Sequence, residues 1–305
     1  KIKQSNLHPI DFPENQELEW CPPGHGDVYT CLNASGLLST LLSKGYKYAF
    51  ISNIDNLGAE FDPRIAGFIA NKKISFLMEV AKRNMSDKKG GHLAKSKDGK
   101  ILLRERAQCP ENELQYFEDT DKYSYFNTNS IWINLEDLKT SLDKNGGFLD
   151  LPLIVNSKTV DPSIPSSETI FQLETAMGAA ISAFDNAMAI HVPRSRFAPV
   201  KTTNDLLELW SSNFELNSEY SIVRKSTRPP VNVILDPNYY QNIEDFQRRF
   251  PIEVPNIENC VQLEVVGNVV FPKDLILEGV VKIVNNSNDE KQIKGNQTLS
   301  GEIVL

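Results

Sequence analysis

Long apolar runs are absent from this sequence, and so is any excess of positive charge. No stretch approaches the ~18 consecutive apolar residues of a membrane-spanning helix, which argues against a membrane protein. The 32 Lys and Arg residues are outnumbered by 40 Asp and Glu residues, and the net charge is -8. Because an acidic chain has no overall attraction for polyanions, we do not expect nucleic acid as a partner. Binding of an anionic small molecule is still compatible with this net charge, since one or two cationic side chains in a cleft act locally.

Cysteine is scarce, and the sequence has no CxxC motif. Its cysteines fit neither a metal-ligand pattern nor a dense disulfide framework, so we expect free thiols. They are Cys21, Cys31, Cys109 and Cys260. The segment 1–18 lacks the apolar run of a secretory signal and the Arg-rich, acid-poor bias of a transit peptide. We therefore expect a soluble, cytoplasmic protein.

The length of 305 residues, 40% of them hydrophobic, allows a large core and suggests two domains. Across residues 46–160, short apolar runs alternate with helix-like segments, which predicts an α/β domain. A helix is predicted from Gln172 to Pro193, because apolar residues recur on one face and Thr169 with Gln172 forms a capping box. The runs that we interpret as buried strands are 48–51, 74–78, 131–133 and 151–155.

The last third of the chain changes character. Prolines cluster within 213–256, which predicts a connector between an α/β domain at 1–212 and a separate domain at 257–305. Aliphatic residues recur at six-residue intervals in the last domain, and only Ser287 breaks the series. This period predicts a β-helix; an antiparallel hairpin is the alternative, because six is also a multiple of two. A short solenoid has exposed ends, so we expect self-association there. The aliphatic positions are Ile257, Leu263, Val269, Leu275, Val281, Ile293, Leu299 and Leu305.

Two segments carry candidate ligand-binding residues early in the chain. Gly24 and Gly26 flank His25 after two prolines, so a ligand could approach the backbone and the imidazole; an ordinary Pro-Gly turn fits equally. Asn53 and Asp55 follow the predicted strand 48–51, at a strand end where open sheets bind ligands. A carboxylate there suits Mg²⁺ that bridges phosphates, whereas the alternative is an Asx turn or a helix cap.

Three later residues complete the set of candidates. Glu105 follows the apolar run 101–103, and Asn129 lies just before the predicted strand 131–133. Carboxylates and amides read sugar hydroxyls in fixed directions, so these two could hold a hexose, although either could be a turn residue. Lys201 lies in a polar loop after the predicted helix, where it could bind a phosphate or only be solvated.

Seven segments, taken in this order, resemble one protein family. They are WCPPGHGD (20–27), FISNIDNLGA (50–59), KGG (89–91), FNTN (126–129), QLETA (172–176), VPRSRF (192–197) and PVKT (199–202). The chain resembles the eukaryotic UDP-glucose pyrophosphorylases, also called UTP-glucose-1-phosphate uridylyltransferases. The resemblance implies a catalytic nucleotide-diphospho-sugar transferase domain, Rossmann-like with a mixed sheet, and a small C-terminal left-handed β-helix that carries homo-oligomer contacts.

The resemblance also implies the reaction and the residue roles. UTP and glucose 1-phosphate would give UDP-glucose and pyrophosphate with Mg²⁺ as cofactor. Gly24 would meet the nucleotide through its backbone, His25 the substrate, and Asn53 the ribose or sugar-phosphate side. The remaining roles are Asp55 as the Mg²⁺ ligand, Glu105 and Asn129 at the glucose hydroxyls, and Lys201 as the catalytic cation at the phosphates.

One family feature is not found in the sequence. The nucleotide-binding Gly-rich loop, which in the family lies well upstream of the PPGHG segment, is formed by none of the 16 glycines. We therefore expect an N-terminally incomplete catalytic domain, and little activity from the isolated chain. Two alternatives stay open: a UDP-sugar pyrophosphorylase of broader sugar range, and an inactive fragment that serves only in binding or assembly.

Overall fold

A computed structural model describes residues 1–83, 87–225 and 229–305. Contacts between residues divide the chain into two units. Unit 1 comprises Lys1–Asn53 and Phe61–Arg194, and unit 2 comprises Ile54–Glu60 and Ser195–Leu305. In chain order, therefore, most of unit 1 is inserted between two pieces of unit 2.

Unit 1 mixes short helices with strands. Its helices are α1 (Val28–Ala34), α2 (Leu37–Ser43), α3 (Pro63–Lys72), α4 (Leu114–Phe117) and α5 (Leu135–Lys144). Its strands are β1 (Ile2–Lys3), β2 (Tyr48–Ile51), β3 (Phe76–Lys82), β4 (His92–Lys95), β5 (Ile101–Arg104), β6 (Tyr125–Asn134), β7 (Leu153–Thr159), β8 (Thr169–Thr175) and β9 (Ala187–His191).

The main sheet of unit 1 is built around β6. The strand order is β5-β4-β6-β3-β9, and β2 also pairs with β6. Strand β3 runs antiparallel to β6 and parallel to β9, so the sheet is mixed. Buried apolar side chains from β3, β6 and α5 form its core, among them Phe76, Met78, Ile131, Ile133 and Leu138. The mixed α/β fold expected from the sequence is confirmed.

The helix predicted from Gln172 to Pro193 is wrong. Thr169 and Gln172 lie in β8, which pairs antiparallel with β7, and a 3₁₀ turn at Met177–Ala183 and strand β9 follow. The physical reason is that Thr, Ile and Phe, which open the segment, favour strands, and that this strand has two neighbours to pair with. The burial predicted for 151–155 is also wrong, because alternate side chains of β7 are exposed.

Unit 2 is dominated by strands. Its helices are α6 (Thr203–Trp210), α7 (Pro237–Tyr240) and α8 (Ile243–Arg249). Its strands are β10 (Phe214–Leu216), β11 (Ile222–Arg224), β12 (Asn232–Leu235), β13 (Asn256–Val266), β14 (Val269–Val270), β15 (Leu275–Val284), β16 (Lys291–Gln292) and β17 (Gln297–Val304).

Neighbouring strands at the C-terminal end of unit 2 run parallel. The sheet order is β12-β13-β15-β17, with parallel pairing throughout, and β14 pairs parallel with β16. Leu263 lies opposite Val281, three six-residue intervals later in the chain. Parallel pairing rules out the antiparallel hairpin that the six-residue period left open. The buried members of the aliphatic series are Ile257, Leu263, Val269, Leu275, Val281 and Ile293, while Leu299 is half-buried and Leu305 is exposed.

Residues 213–256 contribute strands and helices to unit 2. They contain the antiparallel pair β10-β11, strand β12 and the short helices α7 and α8. Tyr240, Phe246 and Phe250 from this stretch pack in one core with Leu263 and Val281. Within the described ranges, no helix is long and apolar enough to cross a membrane.

Candidate functional site

His25 lies in a 3₁₀ turn at the start of α1, pressed against the end of β8. Its Nδ1 accepts a hydrogen bond of 2.8 Å from the backbone N–H of Met177, and the Met177 carbonyl accepts one of 2.8 Å from Tyr29 Oη. Gly24 has φ +84°, and a Cβ there would lie 2.5 Å from the Thr175 carbonyl oxygen. Only glycine allows this approach, which explains why glycine flanks the histidine.

The hydrogen bond from Met177 fixes the protonation pattern of the His25 ring. Because Nδ1 accepts from a backbone N–H, its lone pair is used, and the proton of the neutral ring lies on Nε2. The His25 side chain is exposed. In the neutral ring Nε2 is therefore a hydrogen-bond donor, the type of group that pairs with phosphate or hydroxyl oxygens.

Asn129 lies inside β6, at an irregularity in its pairing with β3, and not before the strand as the sequence suggested. Its φ is +57°, a left-handed conformation that Asn tolerates better than most residues. The Asn129 N–H donates to Asn127 Oδ1 over 2.9 Å, and Asn127 Nδ2 donates to Asn129 Oδ1 over 2.6 Å. This reciprocal pair holds both amides in one orientation, as recognition of directional hydroxyl groups requires.

Glu105 directly follows β5 and lies against Gly91. A Cβ on Gly91 would lie 2.6 Å from Glu105 Oε1, so the carboxylate occupies the place of a side chain. Burial raises the pKa of this carboxyl above its usual range. Within the described chain, no hydrogen bond or ion pair is formed by this carboxylate, which leaves its acceptor oxygens for a ligand.

Contacts within unit 1 link the three polar residues. The Gly91 carbonyl accepts a 3.1 Å hydrogen bond from Asn127 N, which connects the Glu105 support to the amide pair. Gly178 follows Met177 and packs so closely that a Cβ would lie 2.6 Å from Asn127 Nδ2. His25, Asn129 and Glu105, predicted from distant parts of the sequence, are thus joined through one set of neighbours. Asn53 is half-buried and follows β2, whose Ile51 lies opposite Ile131.

Asp55 and Lys201 form an ion pair within unit 2. Lys201 Nζ lies 3.7 Å from Asp55 Oδ2, and the side chains are 66% and 30% exposed, respectively. The Asp55 carbonyl accepts a 2.9 Å hydrogen bond from Val200 N, so backbone pairing sets the approach of the two side chains. An exposed pair of this kind adds little stability. Both side chains are at least partly exposed, so the Lys201 ammonium can meet an anionic ligand and the Asp55 carboxylate can meet a metal ion bound to that ligand.

Asn56 is a positioning residue that sequence reasoning missed. It is 5% exposed, and its Oδ1 accepts from Gly58 N at 3.2 Å and from Ala198 N at 2.8 Å. Its Nδ2 donates to the Arg196 carbonyl over 3.1 Å. The Asx turn of this segment is therefore made by Asn56, while the Asp55 carboxylate faces Lys201. A signal existed in the adjacent Asn-Leu-Gly, but the partners at 196–198 are remote in sequence.

Helix α6 holds the backbone of Lys201. Asp205 Oδ2 accepts from Lys201 N and from Thr202 N, both at 2.9 Å, and Thr202 forms the reciprocal capping box. This arrangement fixes the backbone while the ammonium group stays mobile on its four-carbon stem. In the part of the chain that the structure describes, no group of three or more His, Cys, Asp or Glu residues is arranged so that it could hold a metal ion. A metal held by Asp55 would therefore take most of its ligands from substrate or water.

Solved structures with the same mixed α/β fold are UDP-glucose pyrophosphorylases. A point mutant of the Leishmania major enzyme in complex with UDP-glucose has a TM-score of 0.87 and 43% sequence identity, covering 100% of this chain and 67% of that chain. The Trypanosoma brucei UDP-glucose phosphorylase has a TM-score of 0.86 and 44% identity, with coverage of 100% and 66%.

The chain belongs to the UTP–glucose-1-phosphate uridylyltransferase family, whose model matches residues 1–278. Among curated relatives, the uridylyltransferase 2 of Dictyostelium discoideum is 38% identical over 307 residues, covering 100% of this chain and 59% of the relative. That of Encephalitozoon cuniculi is 37% identical, covering 100% and 60%. The chain thus spans about 60% of the length of these relatives. The family resemblance drawn from the sequence is confirmed.

Proposed function

We propose that the protein that carries this chain converts UTP and glucose 1-phosphate into UDP-glucose and pyrophosphate, reversibly. The observation that carries the proposal is the Asp55–Lys201 pair, 3.7 Å apart, in a chain of this family. Transfer of a nucleotidyl group between two anionic substrates needs a cation that offsets phosphate charge, and a carboxylate beside it can hold a metal ion. The Leishmania major relative was solved with UDP-glucose, which supports the same sugar nucleotide here.

The proposed reaction needs no protein nucleophile. A phosphate oxygen of glucose 1-phosphate bonds to the α-phosphorus of UTP, and the bond from that phosphorus to the oxygen bridging to the β-phosphate breaks, releasing pyrophosphate. Catalysis is then alignment of two anions and neutralisation of charge on the α-phosphoryl oxygens. Lys201 provides a mobile ammonium for this charge, and the capping box of α6 holds its backbone.

We further propose that Asp55 ligates Mg²⁺. One carboxylate fits this ion, because Mg²⁺ bound to nucleotides commonly takes one or two protein carboxylates and completes its shell with phosphates and water. The partial exposure of the Asp55 side chain and the turn that Asn56 forms beside it support this assignment. When bound, the ion would add positive charge at the phosphates; Asp55 would hold it and Lys201 would act beside it.

We assign binding of the sugar and of the nucleotide to residues of unit 1. Glu105 and Asn129 are proposed to accept from and donate to the glucose hydroxyls. A carboxylate that no described residue binds and a fixed amide pair are suited to reading hydroxyl directions. His25, with its proton on Nε2, is proposed to donate to the substrate. Gly24 would meet the nucleotide through its backbone, and Asn53 the ribose or sugar-phosphate side.

Further proposals concern architecture and location. We propose that residues 1–212 are the catalytic domain and that 257–305 form a left-handed β-helix used in homo-oligomers. Residues 213–256 would connect the two as a folded segment, since Tyr240, Phe246 and Phe250 pack in one core with residues of 257–305. The parallel register and the inward aliphatic series support the β-helix. A cytoplasmic location rests on the sequence alone.

The test is a turnover assay on the whole protein that contains these 305 residues. UTP, Mg²⁺ and glucose 1-phosphate should give UDP-glucose and an equal amount of pyrophosphate. Chromatography measures the UDP-glucose, and a coupled phosphate-release assay measures the pyrophosphate. N-acetylglucosamine 1-phosphate and galactose 1-phosphate serve as competing sugars. Equal kcat/KM for these sugars would favour a pyrophosphorylase of broader range. Binding of UDP-glucose without turnover of any sugar phosphate would favour a binding module.

A further inference from the structure

Arg83 is a buried cation that the proposed reaction does not use. It follows β3 and is 5% exposed. Its Nη1 donates to the carbonyls of Phe117 at 3.3 Å and Tyr123 at 3.1 Å, and its Nη2 donates to those of Asp87 at 3.4 Å and Lys88 at 2.8 Å. A buried guanidinium with four carbonyl acceptors ties two chain segments together.

One of these segments is the turn that supports Glu105. Gly90 N donates to the Asp87 carbonyl over 3.0 Å, which closes the turn directly after the carbonyls that Arg83 binds. Gly91 contacts both of the elements proposed to bind the sugar. Its carbonyl accepts from Asn127 N, and the position that a Cβ would take faces the Glu105 carboxylate. A displacement of this turn would therefore move the Glu105 carboxylate relative to the Asn127–Asn129 pair.

The second segment packs on the residue after Gly91. The fully buried ring of His92 has Tyr123 stacked against it at 4.2 Å between centroids and Phe117 tilted against it at 4.5 Å. His92 pairs with Arg104, the residue before Glu105. Arg83 thus holds, by their carbonyls, the two aromatic residues that enclose the neighbour of Gly91.

We infer that Arg83 is a positioning residue for sugar recognition, acting through the Asp87–Gly91 turn on the Glu105 carboxylate. The inference rests on the proposed sugar role of Glu105. Arg83 touches no substrate in this assignment. Lysine at this position keeps the charge but, as a single ammonium on a flexible stem, cannot bind both segments in the fixed fork of a guanidinium.

The experiment measures binding of UDP-glucose and of UDP by calorimetry on the whole protein, so it does not require turnover. Arg83→Lys should weaken UDP-glucose about 10-fold and leave UDP within about twofold, because only the sugar contact is disturbed. Arg64→Lys, at a side chain that is 90% exposed, is the matched control and should change neither. A merely structural role would instead lower the binding stoichiometry for both ligands with the ratio of Kd values unchanged, and this result would overturn the inference.

A double-mutant cycle with Glu105→Gln tests the route. If Arg83 acts through Glu105, the double variant should bind UDP-glucose about as weakly as Glu105→Gln alone, since neighbours in one network are not additive. Independent, multiplying effects would contradict the inference.

Gly91→Ala, which leaves Arg83 in place, covers the case in which Arg83→Lys fails to fold. It should weaken UDP-glucose selectively, and wild-type selectivity would count against the turn. Wild-type protein that binds UDP-glucose no better than UDP would refute the sugar assignment and with it this inference, whereas selective binding without turnover would refute only the proposed reaction.

Discussion

The backbone N–H of Met177 donates to Nδ1 of His25, although the two residues are 152 positions apart in the chain. This contact decides which ring nitrogen carries the proton, and so whether the exposed edge of the imidazole donates or accepts. A His-Gly motif alone does not determine this. The contact also ties α1 to the end of β8, beside the glycine that packs on Asn127.

In the whole protein that contains these residues, Lys201→Ala should slow turnover by roughly 10²-fold at saturating substrates, because the ammonium that offsets charge on the α-phosphoryl group is lost. The side chain is 66% exposed, so the melting temperature should barely change. Steady-state kinetics and thermal unfolding measure the two effects. Lys294→Ala, at an exposed lysine in unit 2, is the control. Unchanged kcat would assign the role to another cation.

Asp55→Asn should raise the Mg²⁺ concentration needed for half-maximal activity by about 10-fold or more, with the fold intact. The amide keeps the shape but loses the negative charge that holds a hard dication. Since the Asx turn is made by Asn56, the variant should leave the loop in place. A Mg²⁺ titration of initial rates is the measurement, and a wild-type titration curve would show that Asp55 is not the ligand.

Glu105→Gln should weaken glucose 1-phosphate while making the protein more resistant to unfolding at neutral pH. Burial raises the pKa of Glu105 in the fold, so its ionised form is destabilising above that pKa, and the penalty disappears as the pH falls below the usual range of a glutamate. The gain in melting temperature should be present at pH 7 and absent near pH 4. An equal gain at both values would mean that ionisation of Glu105 is not its source.

His92 should make the fold sensitive to acid. Burial between aromatic rings and two arginines lowers its pKa from 6.5 to about 4, so the unfolded chain takes up a proton below about pH 6.5 that the folded chain refuses until about pH 4. This group should therefore remove up to roughly 3 kcal/mol of stability across that interval and nothing further below it. Urea unfolding of His92→Phe at several pH values should show a shallower decline. Parallel curves for variant and wild type would contradict the assignment.

Leu263→Ala should destabilise unit 2 by about 2–5 kcal/mol, because the side chain is fully buried among the parallel strands. Val261→Ala, on the same strand at a side chain that is 64% exposed, is the control and should change stability little. Chemical denaturation followed by circular dichroism gives both values. Equal effects at the two positions would refute the inward placement of the six-residue series.

The sequence predicted strands better than it predicted the helix. The predicted strand 48–51 has the same bounds as β2, because a short apolar run bounded by polar residues is typical of a strand. The helix predicted after Thr169 is wrong, since the six apolar residues at helical spacing lie in a strand, a 3₁₀ turn, the residue that follows this turn and a second strand. Pairing with β7 and β1, which lie far away in sequence, overrode the local periodicity.

The candidate residues divide in a similar way. Gly24 lies in the WCPPGHGD segment and Gly91 in the KGG segment, and the structure shows that they leave room for a close approach of the Thr175 carbonyl oxygen and of Glu105, respectively. Asn56 and Arg83 were missed, because their roles consist of hydrogen bonds to carbonyls and amides whose positions are set by the whole fold. Composition and spacing carry no record of such acceptors.

The partners of Asn56 near Arg196 follow it by 140 residues. On a ribosome adding roughly 5–20 residues per second, the segment at Asp55 emerges about 7–28 s before the loop that completes its turn. Throughout that interval most of unit 1 can be synthesised and begin to fold. The Asp55–Lys201 pair therefore cannot form in the nascent chain until the strands of the main sheet of unit 1, which lie between the two residues or just before Asp55 in sequence, have been synthesised.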